Sequence, residues 1–254
     1  MADANKYQGD PVVFIAVNSG NSSSEVASYI RKNGITWPTI VDSARAFESA
    51  AGVGEISLDR ISGYRVLNAE GSLVRSYGID GSAKVAMTTA EWNVDPDGIP
   101  DSLKAAWQAI EFGDFVSQAR TLQRALKSKK TEVQTAAQTL NDYVQGKLTA
   151  TLEKAIAAKT ADDEWLAYKT FLEFEHRFKG YDTDTDVKAE LKILLGSDAV
   201  KTQLTASRQL ENALKTASRS GMERAAKRLK KLIEKYPNTE AAEKAQNALD
   251  SARR

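Results

Sequence analysis

Cysteine is absent from this chain of 254 residues. That absence removes disulfides, thiolate nucleophiles, cysteine-type zinc sites and dithiol redox chemistry within the chain. Long apolar runs are missing too. No stretch approaches the roughly 18 residues of a membrane span, and the opening MADANKYQGDP has neither the basic region nor the apolar core of a signal peptide. A charge excess is also lacking: the formal net charge of +1 argues against a dedicated nucleic-acid or anionic-membrane binder. Residues 1–100 hold 8 Lys plus Arg against 12 Asp plus Glu, and the remainder 27 against 22, an asymmetry too small to name a partner. Cysteine content is compatible with either side of a membrane, so the compartment stays open.

What is present is ordinary globular material, 42% hydrophobic and 27% charged, which excludes a disordered tail. Val12-Val13-Phe14-Ile15-Ala16-Val17, between Gly9-Asp10-Pro11 and Asn18-Ser19-Gly20, reads as a buried strand. Ser22 and Glu25 form a capping box for a helix bearing Val26, Tyr29 and Ile30 on one face and ending at Gly34. Pro38 keeps Trp37 extended, so Trp37 to Asp42 reads as extended, and an Ala-rich stretch from Ser43 to Ala51 forms a short helix stopped by Gly52. Gly63 to Asn68, the turn Ala69-Glu70-Gly71, and Ser72 to Tyr77 make a β-hairpin.

The order VVFIAVNS, helix, NGITWPTIVD, short helix, GYRVLNAEGSLVRSY resembles the later half of the thioredoxin-like fold, as found in peroxiredoxins and exported bacterial disulfide reductases. The resemblance covers about residues 5 to 80. In that family the Cys-x-x-Cys opens a helix preceding the strand matched by Val12 to Val17, and Met1 falls inside that helix's position. The cis-proline of the family would fall at Ser62. The resemblance therefore implies an incomplete, redox-silent thioredoxin-like segment, with Trp37, Pro38, Ser62 and Gly63 as its candidate binding residues. It also implies a sheet lacking its middle strand. Unpaired buried backbone groups cost about 1 to 3 kcal/mol each, so the strand at 12–17 is expected to close up antiparallel to the strand at 63–67, borrow a strand, or belong to a longer protein. In the last case the protein is periplasmic or exported.

Residues 81–100 hold Gly81, Pro96, Gly98 and Pro100 with little periodicity and read as a linker. Beyond it, residues 101–254 read as an all-helical domain. Its apolar stripes are Leu103, Ala106, Trp107 and Ile110; Phe115, Ala119, Leu122 and Leu126; and Val133 through Leu140, Val144, Leu148, Leu152 and Ile156. Trp165, Leu166, Phe171, Leu172 and Phe178 follow, then Val187, Leu191 and Leu195, then Leu204, Leu210 and Leu214. The last two are Ala225, Leu229, Leu232 and Ile233, and, from Asn238-Thr239 onward, Ala242, Ala245 and Leu249. The segments AWQAIEFGDFVSQARTLQRAL and AAKRLKKLIEKYPNTEAAEKAQNAL resemble tetratricopeptide-type helix pairs, without a strict 34-residue period.

Two acidic runs approximate calcium loops. Asn93, Asp95, Asp97, Gly98 and Asp101 fit, but Lys104 stands where a bidentate Glu is needed, so a polar linker with Asp101 capping the next helix is the better reading. In Asp182, Asp184 and Asp186 the turn position is Val187 and the twelfth is Ile193, which favours a solvated loop and helix cap. His176, the single histidine, lies three residues after Glu173, but no second Glu-x-x-His exists to complete a bundle metal site. No serine elbow, phosphate loop or paired catalytic carboxylates appear, so no catalytic residue, metal or cofactor is assigned. Arg224, Lys227, Arg228, Lys230, Lys231 and Lys235 surround an apolar stripe, as a solvated face or a site for an acidic protein partner.

Two functions fit this pattern. One is a non-enzymatic protein-interaction scaffold with a redox-silent platform. The other is the carboxy-terminal portion of a thiol-disulfide oxidoreductase or peroxide reductase whose Cys-x-x-Cys lies upstream. Because the thiolate is the nucleophile of disulfide exchange, this chain is expected to give no insulin reduction. Turnover above a cysteine-free control would contradict that.

Overall fold

The computed structural model describes residues 6–251 except 8, 20, 22, 36, 43–46, 49–50, 54–62 and 69, and omits the side chains of Ser218, Arg219 and Ser251. The fold is mainly helical, with 66% helix, ten helices and two small sheets among the described residues. Contacts divide the chain into two units, Met1–Glu91 with Thr202–Arg254, and Trp92–Lys201.

In the first unit, β1 (Ala16–Ser19) leads through α1 (Ser23–Asn33) to β2 (Thr39–Asp42). β1 and β2 pair in parallel, with Ala16 opposite Thr39 and Ser19 opposite Asp42. Helix α1 ends where Gly34 takes φ +59, a left-handed conformation that glycine adopts without strain. Of its expected face Val26 is buried, while Tyr29 is 63% exposed. The Ser22 half of the capping box and most of the short helix expected over 43–51 lie outside the described residues.

The strand expected over residues 12–17 is displaced toward the carboxy terminus. Its ladder begins where the Ala16 amide donates to the Pro38 carbonyl at 2.9 Å, and Pro38 has no N–H with which to extend it. Val13 and Ile15 are about half exposed, so the apolar run is not the buried strand its composition suggests.

β3 (Tyr64–Leu67) and β4 (Leu73–Ser76) form the expected antiparallel hairpin. Asn68 closes it: its side-chain oxygen accepts the Ser72 amide at 2.8 Å, and its carbonyl accepts the Gly71 amide at 3.0 Å. The expected pairing of the first strand with 63–67 is not found. β1 pairs with β2 and β3 with β4, and no ladder joins the two sheets among the described residues. Both observed pairings join strands closer in sequence than residues 17 and 63, the hairpin through a short turn and the parallel pair through α1, which costs less chain entropy.

Helix α2 (Gly78–Met87) packs on the hairpin. Cross-strand partners share a face, so Val66 and Ser76, both buried, lie on the helix side, and the Ser76 and Ser82 hydroxyls meet at 2.6 Å. Leu67 and Leu73, paired on the other face, are 66% and 44% exposed. The Tyr7 hydroxyl at 2.6 Å and the Lys6 ammonium at 3.0 Å both reach the Asp80 carboxylate in the first turn of α2. Much of the expected linker is thus helix.

The second unit starts with ordered packing as well. The Glu111 carboxylate accepts the Asn93 amide, the Asn93 side chain and the Val94 amide at 2.6–3.1 Å. Trp107 Nε1 donates to the Val94 carbonyl at 2.8 Å, and Trp92 stands edge-on to Trp107. Five helices follow: α3 (Asp101–Glu111), α4 (Phe115–Ala125), α5 (Thr131–Thr160), α6 (Glu164–Arg177) and α7 (Val187–Gly196). Each packs chiefly on its near neighbours in sequence. Their stripes are as expected for Leu103, Ala106, Trp107 and Ile110 on α3, and for Leu140, Val144, Leu148 and Leu152 on α5. Ile156 is 48% exposed instead, and on α7 Leu194 is buried while Leu195 faces outward. Phe178 stacks on Phe115 at 5.2 Å between ring centroids and meets Phe174 in a tilted contact at 5.1 Å. The Tyr181 hydroxyl ties the end of α6 to α4 through the Phe115 carbonyl at 3.0 Å.

The chain ends with α8 (Asp198–Ser220), α9 (Met222–Lys235) and α10 (Glu240–Ser251). Ala206, Leu210 and Ala213 meet Leu229 and Leu232 and the row Ala241, Ala242, Ala245, Ala248 and Leu249 in one buried cluster. Small residues let these helices approach closely. Thr239 starts α10, accepting the Ala242 amide at 3.2 Å. Leu229, fully buried, should lose about 2–5 kcal/mol of stability on change to alanine, and Ala245→Leu about 1–3 kcal/mol by overpacking. Denaturant unfolding followed by far-UV circular dichroism measures both. Losses under about 0.5 kcal/mol, the range of surface substitutions, would contradict this packing.

Candidate functional site

Trp37 and Pro38 precede β2; Trp37 is half-buried and Pro38 exposed. Pro38 serves the fold by accepting the Ala16 amide. Gly63 opens β3, and a Cβ built there would lie 2.5 Å from a Val53 methyl, so close packing explains a glycine at this place. Ser62 lies outside the described residues. The three described residues precede strands of different sheets, and no ladder joins those sheets among the described residues.

The acidic runs are used locally. The Asp95 carboxylate accepts the Asp97 amide at 2.9 Å and caps the turn Pro96–Gly98, while Asn93 bonds to Glu111. The capping residue of α3 is Pro100; Asp101 sits in the first turn and pairs with Lys104 at 3.0 Å. Asp186 caps α7 by accepting the Ala189 amide at 3.0 Å. Glu173 pairs with Arg177 at 2.7 Å, and His176 is exposed. Among the described residues no group of three His, Asp or Glu is placed to hold a metal ion.

Sequence reasoning missed two constellations. Glu111 gathers three donors because it lies one turn beyond Trp107 on the face toward Val94; that spacing of four residues is the signal that could have found it. Arg177 lies over the Phe115 and Phe178 rings at 5.3 and 5.6 Å, and only the tertiary fold brings those rings together. The displaced ionisations belong to such packing. Burial pushes the Tyr181 phenol up to about 12, with the Asp114 carboxylate adding to it. Burial also raises Tyr143. The hydrogen bond from Tyr7, then that from Lys6, holds Asp80 below the usual carboxylate range.

The remaining candidate is the outer surface of α9. Leu229 and Leu232 point into the cluster with α8 and α10 and Ala225 is buried, while Arg224, Lys227, Arg228, Lys230, Lys231 and Lys235 are exposed. The chain matches no protein-family model, no curated protein and no solved structure. No helix among the described residues is long and apolar enough to cross a membrane.

The Tyr181 environment gives a pH test. Folded chains keep this phenolic proton until about pH 12, whereas unfolded chains lose theirs near 10. Rising pH therefore favours the unfolded state between those values. Ultraviolet titration should show a tyrosine ionising near pH 12 that is missing in Tyr181→Phe, and that variant should lose less stability from pH 10 to 12 than the parent. Identical titrations would contradict the assignment.

Proposed function

We propose that this chain is a protein-binding helical scaffold of tetratricopeptide-like pairs, joined to a redox-silent thioredoxin-like segment. The observation that carries the reading is the mode of packing: helices from α3 to α7 bury their stripes on near neighbours, as does the pair α9 and α10. Helices arranged this way stack into a shared core and keep an extended outer surface, the property that repeat scaffolds use for recognition. The segments quoted for the tetratricopeptide resemblance correspond to the pairs α3–α4 and α9–α10. The absence of cysteine supports a segment without thiol chemistry.

A second reading has its own support. A parallel pair linked by a helix, then a separate hairpin followed by a helix, is the order expected of a thioredoxin-like sheet without its middle strand. That arrangement suits the later half of a thiol-disulfide oxidoreductase or peroxide reductase. Lysine-directed cross-linking in the source cell distinguishes the two. The scaffold reading expects links from lysines of residues 101–254 to a second protein. Exclusively internal links, together with an upstream reading frame that supplies an in-frame Cys-x-x-Cys after an apolar strand, would favour the enzyme.

A further inference from the structure

The basic residues of α9 are not spread evenly round the helix. At 3.6 residues per turn, Arg224, Lys227, Arg228, Lys231 and Lys235 fall within an arc of about 100°, over about 16 Å of axis. The arc lies on the exposed side of the helix, centred about 120° round from the buried Ala225, Leu229 and Leu232. No carboxylate falls inside it: Glu223 and Glu234 border one side, beside Lys230. Three cation pairs, Arg224 with Arg228, Lys227 with Lys231 and Lys231 with Lys235, stand at the i, i+4 spacing at which like charges repel.

The flanking helices are built differently. On α8 Lys215 pairs with Glu211 at 2.6 Å, and on α10 Lys244 pairs with Glu240 at 2.8 Å, each four residues apart. On α9 the contacts of the arc are Arg228 with the Thr216 hydroxyl at 2.9 Å and Lys235 over the Tyr236 ring. Neither supplies a negative charge. Arg224, Lys227 and Lys231 have no ion pair among the described residues.

We infer that the outer face of α9 is a docking site for an acidic protein segment that presents a single row of carboxylates. The inference rests on the scaffold reading and gives its partner a chemistry. A carboxylate row at helical spacing would fall opposite the cation row and relieve the three repulsive pairs. An anionic membrane fits poorly, because the apolar face of α9 that would insert is already buried against α8 and α10. A nucleic-acid duplex fits poorly as well: Glu223 and Glu234 along the border repel phosphates lying beyond a narrow track, and the whole chain carries only +1.

The test uses the full chain and three fluorescent probes in anisotropy titrations. They are a helical peptide with glutamates in one row, a peptide of equal composition with glutamates all round, and duplex DNA. The row peptide should bind best and weaken as salt rises. The exposed double change Lys227→Glu with Lys231→Glu should weaken it about tenfold or more, two ion pairs being replaced by repulsions, with circular dichroism unchanged. Lys227→Arg with Lys231→Arg should keep binding at the parent's level. Equal affinity for the two peptides, insensitivity to charge reversal, or tighter binding of DNA would each overturn the inference. In the first two cases a second protein cross-linked through other helices would leave the scaffold reading standing.

Discussion

An amphipathic helix is marginal in water until its apolar stripe is covered, and this chain meets that constraint by covering each stripe with a neighbour close in sequence. On α5 a row from Ala136 and Ala137 through Leu140, Val144, Leu148 and Leu152 to Ala155 is buried along most of 30 residues. Each large side chain in such a row is worth about 1.5–3 kcal/mol when fully buried. In α8 to α10 alanine dominates the contact, so close backbone approach replaces side-chain bulk. The outer faces are left free for charge, and the unpaired cation row of α9 is a consequence of where its stripe must point.

The sheets obey a different constraint. Two-stranded sheets are marginal alone, and the hairpin is supported by what packs beside it. The hairpin rests on α2 through Val66 and the Ser76–Ser82 contact. Arg65 adds hydrogen bonds to the Ala51 and Gly52 carbonyls at 2.9 and 2.5 Å. The β1–β2 pair is short because Pro38 stops its ladder. On β1, Asn18 Oδ1 and Ser19 Oγ are buried without a hydrogen-bond partner among the described residues, a cost that a fully built sheet edge usually avoids.

Helix periodicity made the helical region legible. The stripe of α3 is buried residue for residue, and the ends at Gly113, Gly221 and Tyr236-Pro237 follow the chemistry of caps and breakers. The hairpin was legible from Asn68 and Gly71. Less was visible where tertiary contacts decide. Residues 81–100 look like linker because Gly and Pro punctuate them, yet residues 81–87 belong to α2, and Glu111 and Trp107 hold the backbone of Asn93 and Val94 from the next helix. Val13 and Ile15 look buried by composition, but burial depends on what covers a strand, which no local pattern contains. Of the proposed binding residues, Gly63 was picked through a resemblance, whereas its setting against Val53 is a packing requirement. The basic row of α9 was readable as a run of charges; that the apolar face of the same helix is occupied, which bears on membrane insertion, needed the structure.

Neighbour-to-neighbour helix burial carries the stability of this chain, and the two short sheets contribute little to it. Native-state hydrogen exchange measures this directly. Amides of α5, α6, α9 and α10 should exchange only through large openings, with the greatest protection in the chain, while those of β1 to β4 exchange through small local openings of much lower free energy. Protection of the β1 and β3 amides equal to that of α5 would contradict the account.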